Sequence, residues 1–339
     1  MKKTLFLIPI ILSACIKTPL PPNENIYESA LFILNEGAFT GGTATIDAIG
    51  VSNDSNQQQV FSTVNGYALG NIGQHMITAD SLLVVSMNNG GVVRGLSRKT
   101  MIEKWSALIS APRYLGESSE YLVVTNWGSN YLKILNKFTG FIQDSINVFG
   151  VSEQVHIQGD VAYVGLNGGF SNDNRVAIVD LNTKSVDTVV VGDKPNSFVE
   201  LGNDIFILCS GYEDWSGSGS GSTPASLWKI NSSGTVTEVV SAPSASDHAI
   251  ELKTDGTDLY FLNASYSGAV VKTNSNPVSW PTMAVTPSGA YNFDLMSNTL
   301  YVHDAKDFAS EGTVYQYDLN GNLLDSLPAG IIPRQVIQN

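Results

Sequence analysis

Val161-Ala162-Tyr163-Val164, a polar loop, and then Ala177-Ile178-Val179-Asp180-Leu181-Asn182-Thr183-Lys184 decide how this chain is read. The first run is apolar throughout, the composition of a strand covered on both faces. The second breaks at a short polar turn of the kind that joins two antiparallel strands. The same parts recur along the sequence. Leu82-Leu83-Val84-Val85, Tyr121-Leu122-Val123-Val124, Ile205-Phe206-Ile207-Leu208, Leu259-Tyr260-Phe261-Leu262 and Leu300-Tyr301-Val302 each follow a short polar segment and precede a loop rich in Gly and Asn. A second clear hairpin is Tyr315-Gln316-Tyr317-Asp318-Leu319-Asn320-Gly321-Asn322.

Opening each repeat at Gln74, Arg113, Gln154, Asn196, His248, Asn292 and Arg334 gives intervals of 39, 41, 42, 52, 44 and 42 residues. The long interval carries the insertion Trp215-Ser216-Gly217-Ser218-Gly219-Ser220-Gly221-Ser222. Four short strands in each unit of about forty residues define an all-β fold, a β-propeller, and no segment shows the apolar period near 3.6 that helical repeats need. The blade count follows from closure. Leu31-Phe32-Ile33-Leu34 reads as the second strand of a blade and Ile331-Ile332-Pro333-Arg334-Gln335-Val336-Ile337 as the first strand of one. Paired, they close the ring and remove its open edges, making seven blades over residues 30–339. Stacked β-sandwiches or a β-solenoid are the alternatives, and a solenoid needs much shorter rungs.

The amino terminus has a different character. Met1-Lys2-Lys3, an apolar run from Thr4 to Leu12 and Ser13-Ala14 have the order of a secretory signal, too short to span a bilayer. Leu12-Ser13-Ala14-Cys15 resembles the bacterial lipobox, which makes residues 1–14 a lipoprotein signal peptide and Cys15 the acylated first residue of the mature chain. Acyl chains contribute about 0.8 kcal/mol per buried methylene, enough in combination for stable anchoring. Residues 15–29, with Pro19, Pro21 and Pro22, read as a flexible tether. The remaining cysteine, Cys209, lies in an apolar run and reads as a small buried hydrophobe. The net charge of −13 becomes −15 when Lys2 and Lys3 leave with the signal, which argues against nucleic acid as a partner.

In a propeller the loops between second and third strands share one face with the starts of the innermost strands, and that face converges on the central channel. The long loops place Glu36, Phe39, Asn88, Asn126, Trp127, Asn130, Asn167, Phe170, Asn172, Tyr212, Trp215, Asn263, Tyr266, Asp304, Asp307 and Phe308 there. The strand starts add Gln74, His75, Arg113, Gln154, Asn196, His248, Asn292 and Arg334. Aromatic faces combined with amides suit a large neutral or amphipathic organic ligand. Asn is also ordinary turn chemistry, so Trp127 and Trp215, with Arg113 and Arg334, stand out as anchors.

Catalysis is not expected. The four histidines, His75, His156, His248 and His303, fall in different repeats without metal-ligand spacing, and neither a G-x-S-x-G elbow nor a phosphate loop occurs. No cofactor and no metal is expected. A lyase-type site built from His75, His248 and His303-Asp304 across the channel is one alternative, and a protein-interaction scaffold is another. Asp318-Leu319-Asn320-Gly321-Asn322 lacks the distal glutamate of a calcium loop and reads as a hairpin.

Leu34-Asn35-Glu36-Gly37, Thr43-Ala44-Thr45-Ile46, Ala111-Pro112-Arg113-Tyr114, Thr125-Asn126-Trp127-Gly128, Ser152-Glu153-Gln154, Gly192-Asp193-Lys194-Pro195-Asn196-Ser197, Asp304-Ala305-Lys306-Asp307-Phe308, Gly312-Thr313-Val314-Tyr315 and Gly330-Ile331-Ile332-Pro333 occur in an order that resembles the surface propeller lipoproteins of Bacteroidetes. These are related to the YncE-like seven-bladed propellers and carry the DUF5074 domain. The resemblance covers nearly the whole mature chain. It implies a lipid-anchored protein on the outer surface of the outer membrane that partners a TonB-dependent transporter and captures cobalamin or another corrinoid. Two features depart from the family pattern: Ala38 stands where Asn is usual after Asn35-Glu36-Gly37, and no acidic export signal follows Cys15, where the chain reads Ile16-Lys17-Thr18.

Overall fold

The computed structural model describes residues 26–51, 55–216 and 221–339; the signal peptide, Cys15 and most of the tether lie outside these. Seven antiparallel sheets follow one another along the chain, a seven-bladed β-propeller. The first blade is composite. Its innermost strand, Pro333–Gln338, comes from the carboxyl end and pairs with Leu31–Asn35, in the register Leu31↔Gln338, Ile33↔Val336 and Leu34↔Gln335. Thr45–Val51 and Ser55–Gln57 complete it. The closure expected from the sequence is therefore the one observed.

The apolar runs that marked the repeat are the second strands. Leu82–Met87 is buried at every position, and Ile205–Cys209 likewise, because each lies between two strands of its own sheet and under both neighbouring blades. Outermost strands show the opposite pattern: Val186–Val190 and Leu323–Ile331 are largely solvent-facing. Aromatic bulk sets the gaps between blades. Trp105 packs so closely on two glycines that a Cβ at Gly95 or Gly140 would stand 2.2 Å from its ring. Gly140 also turns the chain at φ +68°, so the hairpin there tolerates no side chain on either count.

The sixth blade departs from four strands. Among the described residues it holds Ile250–Thr254, Leu259–Leu262 and Val270–Thr273 only. Where a fourth strand would run, the chain carries Pro277, Pro281 and Pro287, which cannot donate to a ladder. It touches the sheet through the bridge Val271↔Ala284, the bond from Val285 N–H to the Val270 carbonyl at 2.7 Å and the bond from Val270 N–H to Thr286 Oγ1 at 3.0 Å. Trp280 caps this edge by packing on Phe261, ring centres 5.1 Å apart.

Candidate functional site: the channel mouth and its aromatic rim

The innermost strands are bulged where they begin. In six of the seven, the pairing register skips at Gln74, at Arg113 and Tyr114, at Glu153 and Gln154, at Asn196, at Glu251 and Leu252, and at Arg334; Asn292 begins the seventh in regular register. A bulge re-aims the side chain it carries. Two residues ahead of four of these positions the backbone is left-handed at a residue with a side chain: Ile72 (φ 58°), Ala111 (φ 44°), Lys194 (φ 58°) and Ile332 (φ 55°). Each such residue costs on the order of 1 kcal/mol. In return its carbonyl accepts the N–H of the residue that opens the neighbouring loop: Asn88 at 2.8 Å, Trp127 at 3.0 Å, Ser210 at 2.9 Å and Glu36 at 2.7 Å respectively. The strained turns thus pin the long loops to the channel wall.

The mouth is a cavity of about 260 Å³ whose walls include Glu36, Gln74, Arg113, Tyr114, Trp127, Glu153, Asn196, Glu251, Tyr266, Tyr291, Asn292 and Arg334. Its charges are bound to one another. Arg113 forks onto Glu153, whose other bond comes from Trp127 Nε1 at 2.7 Å, and the guanidinium lies 4.2 Å from the Trp127 ring centre. Arg113 also donates to the Gln74 side-chain oxygen at 2.5 Å. Arg334 donates to Tyr114 Oη at 3.0 Å and to the Gln74 carbonyl at 2.8 Å and sits 3.5 Å from Glu36, which in turn accepts from Tyr291 Oη at 2.6 Å. Gln154 Nε2 reaches Glu251 at 3.5 Å, the Glu251 N–H donates to Asn196 at 3.0 Å, and Asn292 donates to the Arg334 carbonyl at 2.9 Å. Deeper in the channel Lys253 stands 3.4 Å from Asp294. The amides and charges picked from the sequence therefore join the inner strands to one another around the ring.

Burial sets the titration of this shaft. His75 is held down to about 3 by burial first and then by Lys253 and Arg334, and as a neutral ring its Nδ1 accepts the Leu115 N–H at 3.2 Å. His303, fully buried 3.4 Å from Asp294, is likewise held to about 3, chiefly by burial. Burial pushes Tyr114 up to about 12, with Glu251 adding to it.

Several of the residues singled out in the sequence stand elsewhere. His248 does not start a strand: the channel position of the sixth blade belongs to Glu251, and His248 bonds the Ser210 carbonyl at 3.0 Å. Glu153 holds the central position beside Gln154. Asn126 is buried and builds its own loop, donating to the Tyr131 carbonyl and accepting from Ser129. Asp304 and Asp307 cap the turn around Lys306 and Ser310. Tyr212 is half-buried, with Lys194 Nζ 5.9 Å from its ring centre. The buried thiol of Cys209 is pushed up by burial. Asp318 bonds the Asn320 and Asn322 amides, a hairpin turn. Among the described residues no group of three or more His, Cys, Asp and Glu is placed to hold a metal.

Around the mouth, on the same face, stand side chains that the shaft does not use. Phe39, Phe149, Phe170, Trp215 and Tyr266 are 76%, 61%, 96%, 82% and 65% exposed, and Phe308 is 44% exposed. Phe170 meets Trp127 edge-on at 5.3 Å, while Tyr266, Tyr291 and Phe308 form a cluster with centres 5.8 to 6.5 Å apart. The described chain begins at Ile26 on the opposite face, where Tyr27, Arg98 and Asn339 are hydrogen-bonded together.

The chain is similar in fold to solved structures that differ widely in sequence. A quinonprotein alcohol dehydrogenase-like protein from Bacteroides thetaiotaomicron matches with a TM-score of 0.65 at 15% identity, covering 93% of this chain and 79% of the other. A putative 6-phosphogluconolactonase from Bacteroides uniformis matches with a TM-score of 0.63 at 11% identity, covering 92% and 99%. AztD from Citrobacter koseri matches with a TM-score of 0.57 at 12% identity, covering 91% and 83%. The likeness is one of fold. No family model and no curated protein matches the sequence.

Proposed function

We propose that this protein is a non-catalytic ligand-binding propeller, anchored through Cys15 to the outer membrane, that captures a large organic ligand on the face around the channel mouth and passes it to a TonB-dependent transporter. The observation that carries this reading is the gathering of six exposed aromatic side chains on one face around a polar mouth. Apolar surface exposed in such a cluster marks a binding face. The mouth itself holds about 260 Å³, room for a side group rather than a whole macrocycle, so a corrinoid would lie across the rim with a peripheral amide directed inward. The carboxylates and guanidiniums of the shaft are paired with one another, which suits a rigid wall under the rim better than proton transfer. The described chain begins at Ile26 on the face opposite the rim, which supports a reading in which an anchored protein keeps its rim open to solvent.

Titration calorimetry with cobalamin, cobinamide and haem tests the ligand class: saturable heat with a corrinoid supports the reading, and silence with all three ends it. Cys15→Ser should move the protein from the membrane fraction to the soluble one. A second reading, a protein partner docking on the aromatic face, rests on the same exposed rings and predicts that rim substitutions abolish co-purification of a partner while calorimetry stays silent.

A further inference from the structure

The mouth adjoins a smaller space of about 50 Å³, and Gln74, Tyr114, Glu251, Asn292 and Arg334 are walls of both. Two of these side chains carry hydrogen-bonding capacity that the protein does not use. Gln74 is 3% exposed. Its Oε1 accepts from Arg113 Nη1 at 2.5 Å, and because a guanidinium only donates, the amide has one orientation. Nε2, on the other side of the amide, is fully buried and has no acceptor among the described residues. With no protein atom accepting from it, Nε2 is left to the space that Gln74 walls. A buried donor without a partner costs free energy until something accepts from it.

Glu251 is the complement of that donor, and it is 5% exposed. Its charge is balanced by Lys253 at 3.7 Å and Arg334 at 3.9 Å, but its hydrogen bonds from Tyr114 Oη and Gln154 Nε2 are long, 3.4 and 3.5 Å. Bonds of that length are weak, so the carboxylate has lone pairs to offer a better donor. Its backbone is left-handed, at φ 59°, and is held there by the bonds from its own N–H to Asn196 Oδ1 at 3.0 Å and from the Leu252 N–H to Ser197 Oγ at 2.8 Å. Strain of this kind persists where the surroundings over-determine it, and it gathers at ligand clamps.

A group that satisfies both residues must accept from Gln74 and donate to Glu251. A primary carboxamide does so through its oxygen and its N–H. A carboxylate accepts only, and it would enter among Glu36, Glu153 and Glu251 with Arg113 and Arg334 already engaged. An ammonium donates only and leaves Nε2 unpaired. We propose that the mouth is a carboxamide subsite, in which an uncharged amide of the ligand accepts from Gln74 Nε2 and donates its own N–H to Glu251. The subsite rests on the ligand-capture reading above and narrows it: the molecule captured presents a neutral amide.

Ligand-observed NMR titrations with phenylacetamide, phenylacetate, phenethylamine and N,N-dimethylphenylacetamide test this by keeping the aromatic body and changing what the head group can donate or accept. Phenylacetamide should saturate in the millimolar range, and the other three should each bind at least tenfold more weakly, since each leaves Gln74 or Glu251 unmet. Gln74→Glu keeps an oxygen for Arg113 and removes the free donor, so it should weaken the amide at least tenfold while thermal melting stays cooperative. Glu251→Gln should narrow the preference for amide over acid at least tenfold, a change of selectivity that a loosened fold alone would not produce. Should Gln74→Glu fail to fold, the order of the four compounds in the parent and the selectivity of Glu251→Gln decide. Comparable affinity for all four compounds, no saturation by the amide in the millimolar range, unchanged amide affinity in a folded Gln74→Glu, or unchanged selectivity in Glu251→Gln would each overturn the assignment. Corrinoid calorimetry is read separately: amide binding with corrinoid silence keeps the subsite and ends the ligand class, and corrinoid heat without amide binding does the reverse.

Discussion

The shaft of the channel and the rim around it share residue types and a face, yet they do different work. Trp127 and Arg113 look from the sequence like ligand anchors, and in the structure they hold each other and Glu153. Phe170, in the next long loop, leans on Trp127 and gives 96% of its surface to solvent. An aromatic or an arginine whose polar end is satisfied inside the protein is part of the scaffold, whatever its loop. One that is exposed among other exposed rings has surface left for a partner. Energy should therefore divide between the two zones, stability to the shaft and affinity to the rim.

The largest effect tests whether the shaft depends on closure. Deleting residues 331–339 removes Pro333–Gln338, and with it Arg334 and the partner of Leu31–Asn35. The inner edge of Leu31–Asn35 is left unpaired and the Glu36 and Glu251 carboxylates lose their shared cation, so cooperative unfolding should be lost altogether. A truncated chain that melts as the parent does would refute the composite blade.

Glu153→Ala comes next. Glu153 is 2% exposed and faces Arg113, 15% exposed at its side chain. Removing one partner of a buried pair typically costs 3–5 kcal/mol, roughly, because the other charge stays behind. Chemical denaturation should show that loss for Glu153→Ala, with most of it retained as a cost in Glu153→Gln, which keeps the shape but not the charge. A change under about 1 kcal/mol would mean that water solvates Arg113 and that the shaft is no scaffold.

The histidines give the shaft a pH dependence that the rim lacks. Unfolded histidine takes up a proton below about 6.5, whereas His75 and His303 in the folded protein stay neutral down to about 3. The unfolded state then binds more protons across that window, so stability falls as pH is lowered through it, by up to about 2 kcal/mol per histidine at pH 5. Asp47 and Asp294, whose carboxyls are raised by burial, act in the opposite direction from about 3.8 upward, inside the same window. Urea midpoints at pH 7 and pH 5 measure this, and His75→Gln should flatten the slope. Equal midpoints would show that the two rings protonate freely in the fold.

The difference between the zones also explains what could be read in advance. The repeat was legible because a second strand covered on both faces must be apolar, and Leu82–Met87 shows it without interruption. The closure was legible for the same reason at Leu31–Asn35. The inner-strand bulges were less so. A bulge shifts the channel position by one residue without changing composition, so Glu153 lay hidden beside Gln154; in the sixth blade the strand begins later, and the channel position falls three residues beyond His248, at Glu251. Pro277, Pro281 and Pro287 did carry the signal for a sixth blade without a fourth strand, in a stretch whose length alone resembled the other repeats. Which tryptophan is free and which is bound cannot be seen from residue type, because it depends on a carboxylate 26 positions away in the chain.

The smallest effect on stability is the sharpest test of the division. Phe170→Ala and Trp215→Ala remove rings that are 96% and 82% exposed, and substitutions at such positions usually change stability by less than about 0.5 kcal/mol. Trp127→Ala, a few ångströms inward, loses the bond to Glu153 and the stacked guanidinium, which should cost about 2 kcal/mol of stability. For binding the order should reverse. If the rim is the ligand face, each exposed ring contributes about 1.4 kcal/mol, a tenfold loss of affinity on truncation. Trp127→Ala weakens binding only as far as it releases Phe170. A double-mutant cycle separates these contributions. Phe170 and Trp127 touch at 5.3 Å between centres, so their effects on affinity should be less than additive, whereas Trp215, in a different loop, should add to either. Full affinity in the Phe170→Ala, Trp215→Ala double variant would move the ligand off the rim and leave the mouth cavity to bind alone.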